Sequence, residues 1–244
     1  MTAKTTLGKL PAAAFGRLEL ERLPDTLLAG FRALGDLTGT TSDAMDYCGV
    51  TGAVPGSTLR PTDPAARVVA QALTVLNRKL DKTVPEAVER NVSHLGEIEA
   101  HNLAEPGDIL VIQGVANISS MGGISASIGK RQGEAGAIVD GGVRDIDHSR
   151  HIGYPVWSSS VSPATGKWRI ETVGINVPVV VAGVTVYPGD LVIADEVGVC
   201  FVPRARAAEV LATAQRLEQS EEARLAKIAG GMPLAEFLAI PRQK

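Results

Sequence analysis

Arg144 and Asp145 stand side by side near the end of GGISASIGKRQGEAGAIVDGGVRDID, residues 122–147. A guanidinium presents a planar fork of donors that matches a carboxylate, and an aspartate oxygen is a ligand for a hard divalent cation. The pair can therefore divide labour, one residue gripping a carboxylate and the other holding a cation. An ordinary salt-bridged turn uses the same two residues. The flanking pattern decides how they are displayed. It predicts a short helix over Ile124–Gln132, a breaker at Gly133 and a buried strand over Ala135–Val139. A glycine turn at Gly141–Gly142 then brings Arg144, Asp145 and Asp147 to the strand's end, a common place for an α/β site. Gly122 and Gly123 precede the helix, so the amides of Ile124 and Ser125 are free to meet an anion.

The wider composition excludes several classes. The chain has 244 residues, 45% hydrophobic and 21% charged, enough for one substantial core. Its net charge of −3 does not suit a nucleic-acid partner. No apolar run approaches a bilayer span, and the N-terminal stretch is a poor signal peptide. Cys48 and Cys200 form neither a disulfide framework nor a zinc spacing, which points to a reducing cytoplasm.

In chain order, residues up to about Arg17 read as a loose arm and Leu18–Leu34 as helical. Thr38–Tyr47 reads as a short helix capped by Ser42 or Asp43 and closed by Gly49. Arg67–Val75 is strand-like, and the polar stretch Leu76–Leu103 suggests one or two helices. Glu97, Glu99 and His101 in that stretch read as a solvated face. Pro106–Ile112 and Pro188–Ala194 share a Pro-Gly-Asp turn leading into a β-branched run, suggesting two similar edges of one sheet system. Short strands mixed with helices imply packed β layers under a helical layer. Ala205–Ile228 has the spacing of an amphipathic helix, with Glu221 in its apolar stripe between Leu217 and Leu225. A carboxylate there needs a partner, such as a neighbouring subunit's cationic site or an interchain salt bridge. The organisation expected is an N-terminal arm and helix (1–36), a central domain (37–204) and a C-terminal helix and tail (205–244) packing on a neighbouring subunit.

The segment from Gly122 through DGGVRD, followed by GYPVW (153–157) and NVPVVVAGVTVYPGDLVIADEVGVCFVP (176–203), resembles the RraA-like family. That family includes metal-dependent aldolases acting on 4-hydroxy-4-methyl-2-oxoglutarate and 4-carboxy-4-hydroxy-2-oxoadipate, and also a non-catalytic regulator of ribonuclease E. The resemblance implies an α/β protein, a layered β/β/α swivelling-type domain assembled as a trimer or a dimer of trimers. It implies Mg²⁺ or Mn²⁺ on Asp145 and pyruvate bound by Arg144 and by amides after the glycines Gly122 and Gly123, at Ile124 and Ser125. It also implies a glutamate from a neighbouring subunit's C-terminal helix, a role for which Glu221 is the best match.

Retro-aldol cleavage of a small 2-oxo acid requires that the keto carboxylate be gripped, the developing enolate stabilised and a proton taken from the carbinol. A divalent ion serves the second need as a Lewis acid. One departure bears on the third: the aldolases carry an aspartate where this chain has Gly123. Asp140, Asp147 and His148 are the candidates to replace it. Otherwise the reaction shifts toward β-decarboxylation of oxaloacetate, which needs less help with protons. In a helical turn over 145–151, His148 shares a face with Asp145, while His151 reads as surface. Lys130 on an exposed helix lacks the buried setting of a Schiff-base lysine, and no GxGxxG fingerprint supports a methyltransferase. The intact Arg144–Asp145 pair favours an enzyme over a regulator. Substrate selectivity is expected in Trp157–Trp168.

Overall fold

The computed structural model describes residues 4–240; the first three residues of the arm and the last four of the tail lie outside them. The first half contains α1 (Asp25–Arg32), α2 (Leu37–Tyr47), β1 (Ala53–Pro55), β2 (Arg60–Pro61), β3 (Val68–Lys79), α3 (Val84–Arg90) and α4 (Glu97–Leu103). The segment that carries the site follows: β4 (Asp108–Gln113), β5 (Ser119–Met121), α5 (Gly123–Gln132), β6 (Gly136–Val143) and α6 (Ile146–His151). The chain closes through β7 (Val156–Val161), β8 (Ile170–Ile175), β9 (Val179–Val181), β10 (Val184–Val186), β11 (Leu191–Ala194), β12 (Gly198–Val202), α7 (Ala207–Ala229) and α8 (Leu234–Leu238).

One sheet runs β1-β12-β11-β3-β4-β6-β7-β2, with β5 added beside β6 and β8 beside β3. Its centre is parallel from β3 through β4 and β6 to β7. Parallel strands need crossovers that cover a face, so both faces are buried and the strands read as continuous apolar runs. On one face Leu73, Val75, Leu110, Ile112, Ala137 and Val139 pack against Ala100 and Leu103 of α4 and Ala126 of α5. Further along, Val69, Ile193 and Val202 pack against Phe31 of α1, Ala44 of α2 and Val210 of α7. The alternate residues Ala70, Ile109, Val111 and Val192 face the antiparallel β9–β10 hairpin through Val179, Val181 and Val186. This gives a helical layer, a sheet and a small β layer. No helix among the described residues is long and apolar enough to cross a membrane.

Several details differ from the sequence reading. The two Pro-Gly-Asp turns launch β4 and β11, which flank β3 in the middle of the sheet rather than forming its edges. Only Asp25–Arg32 of the first expected helix is helical, because Pro24 holds extended backbone before it. The cap of α2 is Asp36, whose carboxylate accepts the Gly39 amide, and Asp43 lies exposed inside the helix. Gly141 and Gly142 are strand residues of β6, not a turn. A Cβ on Gly142 would sit 2.8 Å from the Ile118 carbonyl, so this glycine serves a close strand approach.

Glu99 and His101 are fully buried, not solvated. Charge composition misled here because Glu99 and His101 each have specific partners. Glu99 accepts the amides of Leu7 and Lys9 at 2.7 and 2.6 Å, which ties down an arm expected to be loose. Burial also pushes the Glu97 carboxyl above its ordinary range. Replacing Glu99 with alanine removes the anchor of the arm. Trypsin should then cut at Lys4 or Lys9 at least about tenfold faster while the core stays resistant. Unchanged cleavage would show that other contacts hold the arm.

Candidate active site

The site forms where β6 ends and α5 begins. Asp145 has left-handed backbone, φ 55° and ψ 37°, and occupies the N-cap position of α6. Aspartate tolerates this region, but holding it there costs about 1–3 kcal/mol and needs surrounding support. An aspartate at this position usually caps its own helix. This one instead reaches across, and its Oδ2 accepts the Gly123 amide at 2.8 Å. Arg144 Nε lies 3.7 Å from the same oxygen, and both side chains are about half exposed. Asp145 Oδ1 accepts no hydrogen bond among the described residues.

The two glycines make this arrangement possible. A Cβ on Gly122 would stand 2.6 Å from Asp145 Oδ2 and 3.1 Å from Arg144 Cγ. Any side chain at 122 would displace the pair. No side chain caps α5 at Gly122, so the amides of Ile124 and Ser125 belong to a first turn without intrahelical partners. They carry the positive end of the helix dipole.

In front of Asp145 lies an open hollow of about 670 Å³ lined by Gly123, Ile124, Ser127, Ile128 and Arg131 of α5 with Asp145 and His148. His148 is one helical turn beyond Asp145. The Ser127 hydroxyl lies 2.8 Å from both the Gly123 carbonyl and His148 Nε2. A Cβ on Gly123 would meet His148 Cδ2 at 3.2 Å and Asp145 Cβ at 3.5 Å. The imidazole therefore lies against the place where a side chain at 123 would emerge. The other two candidates for that role are occupied elsewhere. Asp140 Oδ2 accepts the Ala182 amide, and the exposed Asp147 pairs with Arg150 at 2.9 Å.

Among the described residues no three His, Cys, Asp or Glu side chains converge on a metal position. One half-exposed carboxylate that lines a roomy hollow and keeps an unbonded oxygen still fits Mg²⁺, which keeps most of its waters and takes few protein ligands. Lys130 is exposed and donates to the Gly153 carbonyl. Trp157 is fully buried, with its indole N–H on the Asp195 carbonyl, so it belongs to the core rather than to a selectivity surface. Glu221 is exposed on α7, which packs on α1 and α2, and it does not line the hollow of its own chain. Leu225 and Ile228 on the same helix are exposed by 57% and 50%.

A layered α/β protein with an Arg-Asp pair set against a glycine-started helix is the class that this geometry defines. The RraA-like family model, described as Aldolase/RraA, matches residues 38–201. This chain belongs to the RraA-like family. It is 32% identical over 189 residues to a protein of Halalkalibacterium halodurans provisionally named a 4-hydroxy-4-methyl-2-oxoglutarate aldolase, covering 77% of this chain and 82% of that one. Its fold is similar to that of an uncharacterized Pseudomonas syringae protein, with TM-score 0.73, 27% identity and 89% and 99% of the two chains covered. It also resembles Streptomyces coelicolor RraAS2, described as an unusual member of the RNase ES inhibitor RraA protein family. There the TM-score is 0.69 at 28% identity, covering 84% of this chain and 98% of the other.

Replacing Asp145 with asparagine keeps an acceptor for the Gly123 amide while removing the charge. Such a protein should unfold within about 1 kcal/mol of the parent and lose Mn²⁺ binding by titration calorimetry. Retained Mn²⁺ affinity would place the ion elsewhere.

Proposed function

We propose that this chain is a divalent-metal-dependent lyase that cleaves a small 2-oxo acid and releases pyruvate. The observation that carries the reading is the Asp145–Gly123 hydrogen bond, which joins a half-exposed carboxylate to the first turn of α5 beside Arg144. The aldolase names of its relatives support the same class. Arg144 and the Ile124 and Ser125 amides hold the substrate carboxylate, the fork supplying direction and the amides charge complementarity. Mg²⁺ or Mn²⁺ on Asp145, when bound, supplies Lewis acidity toward the keto acid.

His148 takes the proton from the carbinol oxygen as the carbon–carbon bond breaks, the carbinol becomes a carbonyl and the electron pair runs into the keto group. Ser127 orients the ring for this step. The resulting enolate then takes up a proton at carbon to become pyruvate. Histidine in this place answers the absence of a carboxylate at Gly123, and it keeps aldol cleavage open beside the simpler β-decarboxylation of oxaloacetate. Glu221 completes the site from a neighbouring subunit. Leu225 and Ile228, exposed on α7 within one chain, mark the face available for such packing in a trimer or hexamer. A second reading, a non-catalytic regulator that binds an RNA-processing enzyme, is favoured by the likeness to RraAS2. It has no use for an ion-binding carboxylate beside an arginine.

Pyruvate formation from 4-hydroxy-4-methyl-2-oxoglutarate and from oxaloacetate tests the proposal. Turnover should need Mg²⁺ or Mn²⁺ and vanish with chelator; absence of turnover on any 2-oxo acid, with tight binding to an RNA-processing enzyme, would favour the regulator. Arg144→Lys should raise KM at least about tenfold with a smaller change in kcat, since lysine lacks the fork. His148→Asn should lower aldol cleavage by about 10²-fold or more and decarboxylation far less. Equal losses would remove His148 from proton transfer. Mixing Glu221→Gln with Asp145→Ala subunits should restore activity if sites are shared. No recovery after verified exchange would leave Glu221 outside the site.

A further inference from the structure

Beneath α5 lies a chain of buried polar groups that the proposed chemistry does not use. His101 of α4 is fully buried, and its Nδ1 lies 2.7 Å from Glu134 Oε1 while its Nε2 lies 2.8 Å from Ser125 Oγ. The Tyr154 hydroxyl donates to the second Glu134 oxygen at 2.6 Å. Burial, and then the neighbouring Glu134 carboxylate, hold the Tyr154 phenol well above its ordinary range, so it remains a donor. A carboxylate only accepts, so Nδ1 donates to Glu134, and in the neutral ring Nε2 is left to accept the Ser125 hydroxyl. The helix makes room for the group: a Cβ on Gly129 would stand 2.6 Å from Glu134 Oε2 and 2.7 Å from the Tyr154 hydroxyl.

A serine, a histidine and a glutamate in this order have the connectivity of a hydrolytic triad. Access argues against that use. The Ser125 side chain is buried and does not line the hollow, so no acyl group can reach it. Ser125 stands in the first turn of α5 next to Gly123 and Ile124, which do line the hollow. A fully connected buried network confers rigidity, because every alternative geometry leaves a polar group unsatisfied. We infer that His101, Glu134 and Tyr154 form a buried relay that positions Ser125 and thereby aims the first-turn amides of α5 at the substrate anion. The inference rests on those amides being the anion site of the proposed lyase. His101 is then a positioning residue with no contact to substrate.

Two measurements on the full-length protein test it. Amide exchange without ligand reports the Ala126 N–H, which bonds the Gly122 carbonyl 3.0 Å away across the first turn. Calorimetry with Mn²⁺ and oxalate reports anion affinity. His101→Asn keeps a donor toward Glu134 but ends the link to Ser125, and Ser125→Ala ends it from the other side. Each should speed Ala126 exchange and weaken oxalate by about tenfold, leaving β3 and β4 exchange unchanged, and the double variant should be no worse than the weaker single. Tyr154→Phe keeps the buried ring and should show the same direction with smaller size, should the histidine variant not fold. Unchanged exchange and affinity would overturn the relay, as would uniformly faster exchange across the core. If the parent protein does not bind oxalate with Mn²⁺, the lyase reading fails instead, and Ala126 exchange alone judges whether the relay sets the turn.

Discussion

The hydrogen bond from the Gly123 amide to Asp145 Oδ2 is the constraint on which the rest of the site depends. It joins two elements that the chain separates by more than twenty residues, the start of α5 and the end of β6. For it to form, Asp145 must hold left-handed backbone and leave its own helix uncapped. Gly122 must also lack a side chain, since a Cβ there would collide with the carboxylate. These are local costs. They are offset by the parallel sheet beneath, where β5, leading into α5, pairs with the end of β6 and fixes the two ends in register. Each fully buried Ile or Val of that core contributes about 1.5–3 kcal/mol, so a few such residues suffice.

The sheet also explains why the helical layer carries polar groups inside it. α4 and α5 cross the face of β3, β4 and β6, and beside the apolar Ala100, Leu103 and Ala126 the contact between them is completed by His101, Ser125 and Glu134. On the other side of α4, Glu99 accepts two amides from the N-terminal arm. One short helix thus has acidic and imidazole groups satisfied in two directions, which a purely apolar α4 would not provide. Where burial is not offset by a charge partner, the effect is plain. The Cys200 thiol is pushed up to about 12 by burial and then by the nearby Asp195 and Asp36 carboxylates, so it behaves as an apolar core residue.

Much of this was legible from residue order. The helix after the glycine pair, the strand after Gly133 and the long amphipathic tail follow from periodicity, and each has a chain-local cause. The Arg144–Asp145 pair was recognisable because its chemistry and its position at a strand end are both local. What escaped was non-local. Gly141 and Gly142 looked like a turn because glycine's freedom is visible in sequence, whereas the backbone of residue 118 that approaches Gly142 is not. Glu99 and His101 looked solvated because their partners, the Leu7 and Lys9 amides, Glu134 and Ser125, lie 24 to 92 residues away. The repeated Pro-Gly-Asp turn was real, but pairing order is set by the sheet, which put both launched strands beside β3. Of the three candidates it is His148 that lies 3.2 Å from where a Cβ on Gly123 would stand, a proximity that residue order does not show.

The central claim is that Asp145 holds a divalent ion at the point where α5 and Arg144 hold the anion. Crystals grown with Mn²⁺ and oxalate test it most directly, because manganese is located by its own anomalous scattering. The account predicts one strong peak within bonding distance of an Asp145 oxygen, about 2.2 Å, with oxalate between it, Arg144 and the Ile124 and Ser125 amides. A peak at another group, or oxalate bound away from α5 with Asp145 free of metal, would contradict it.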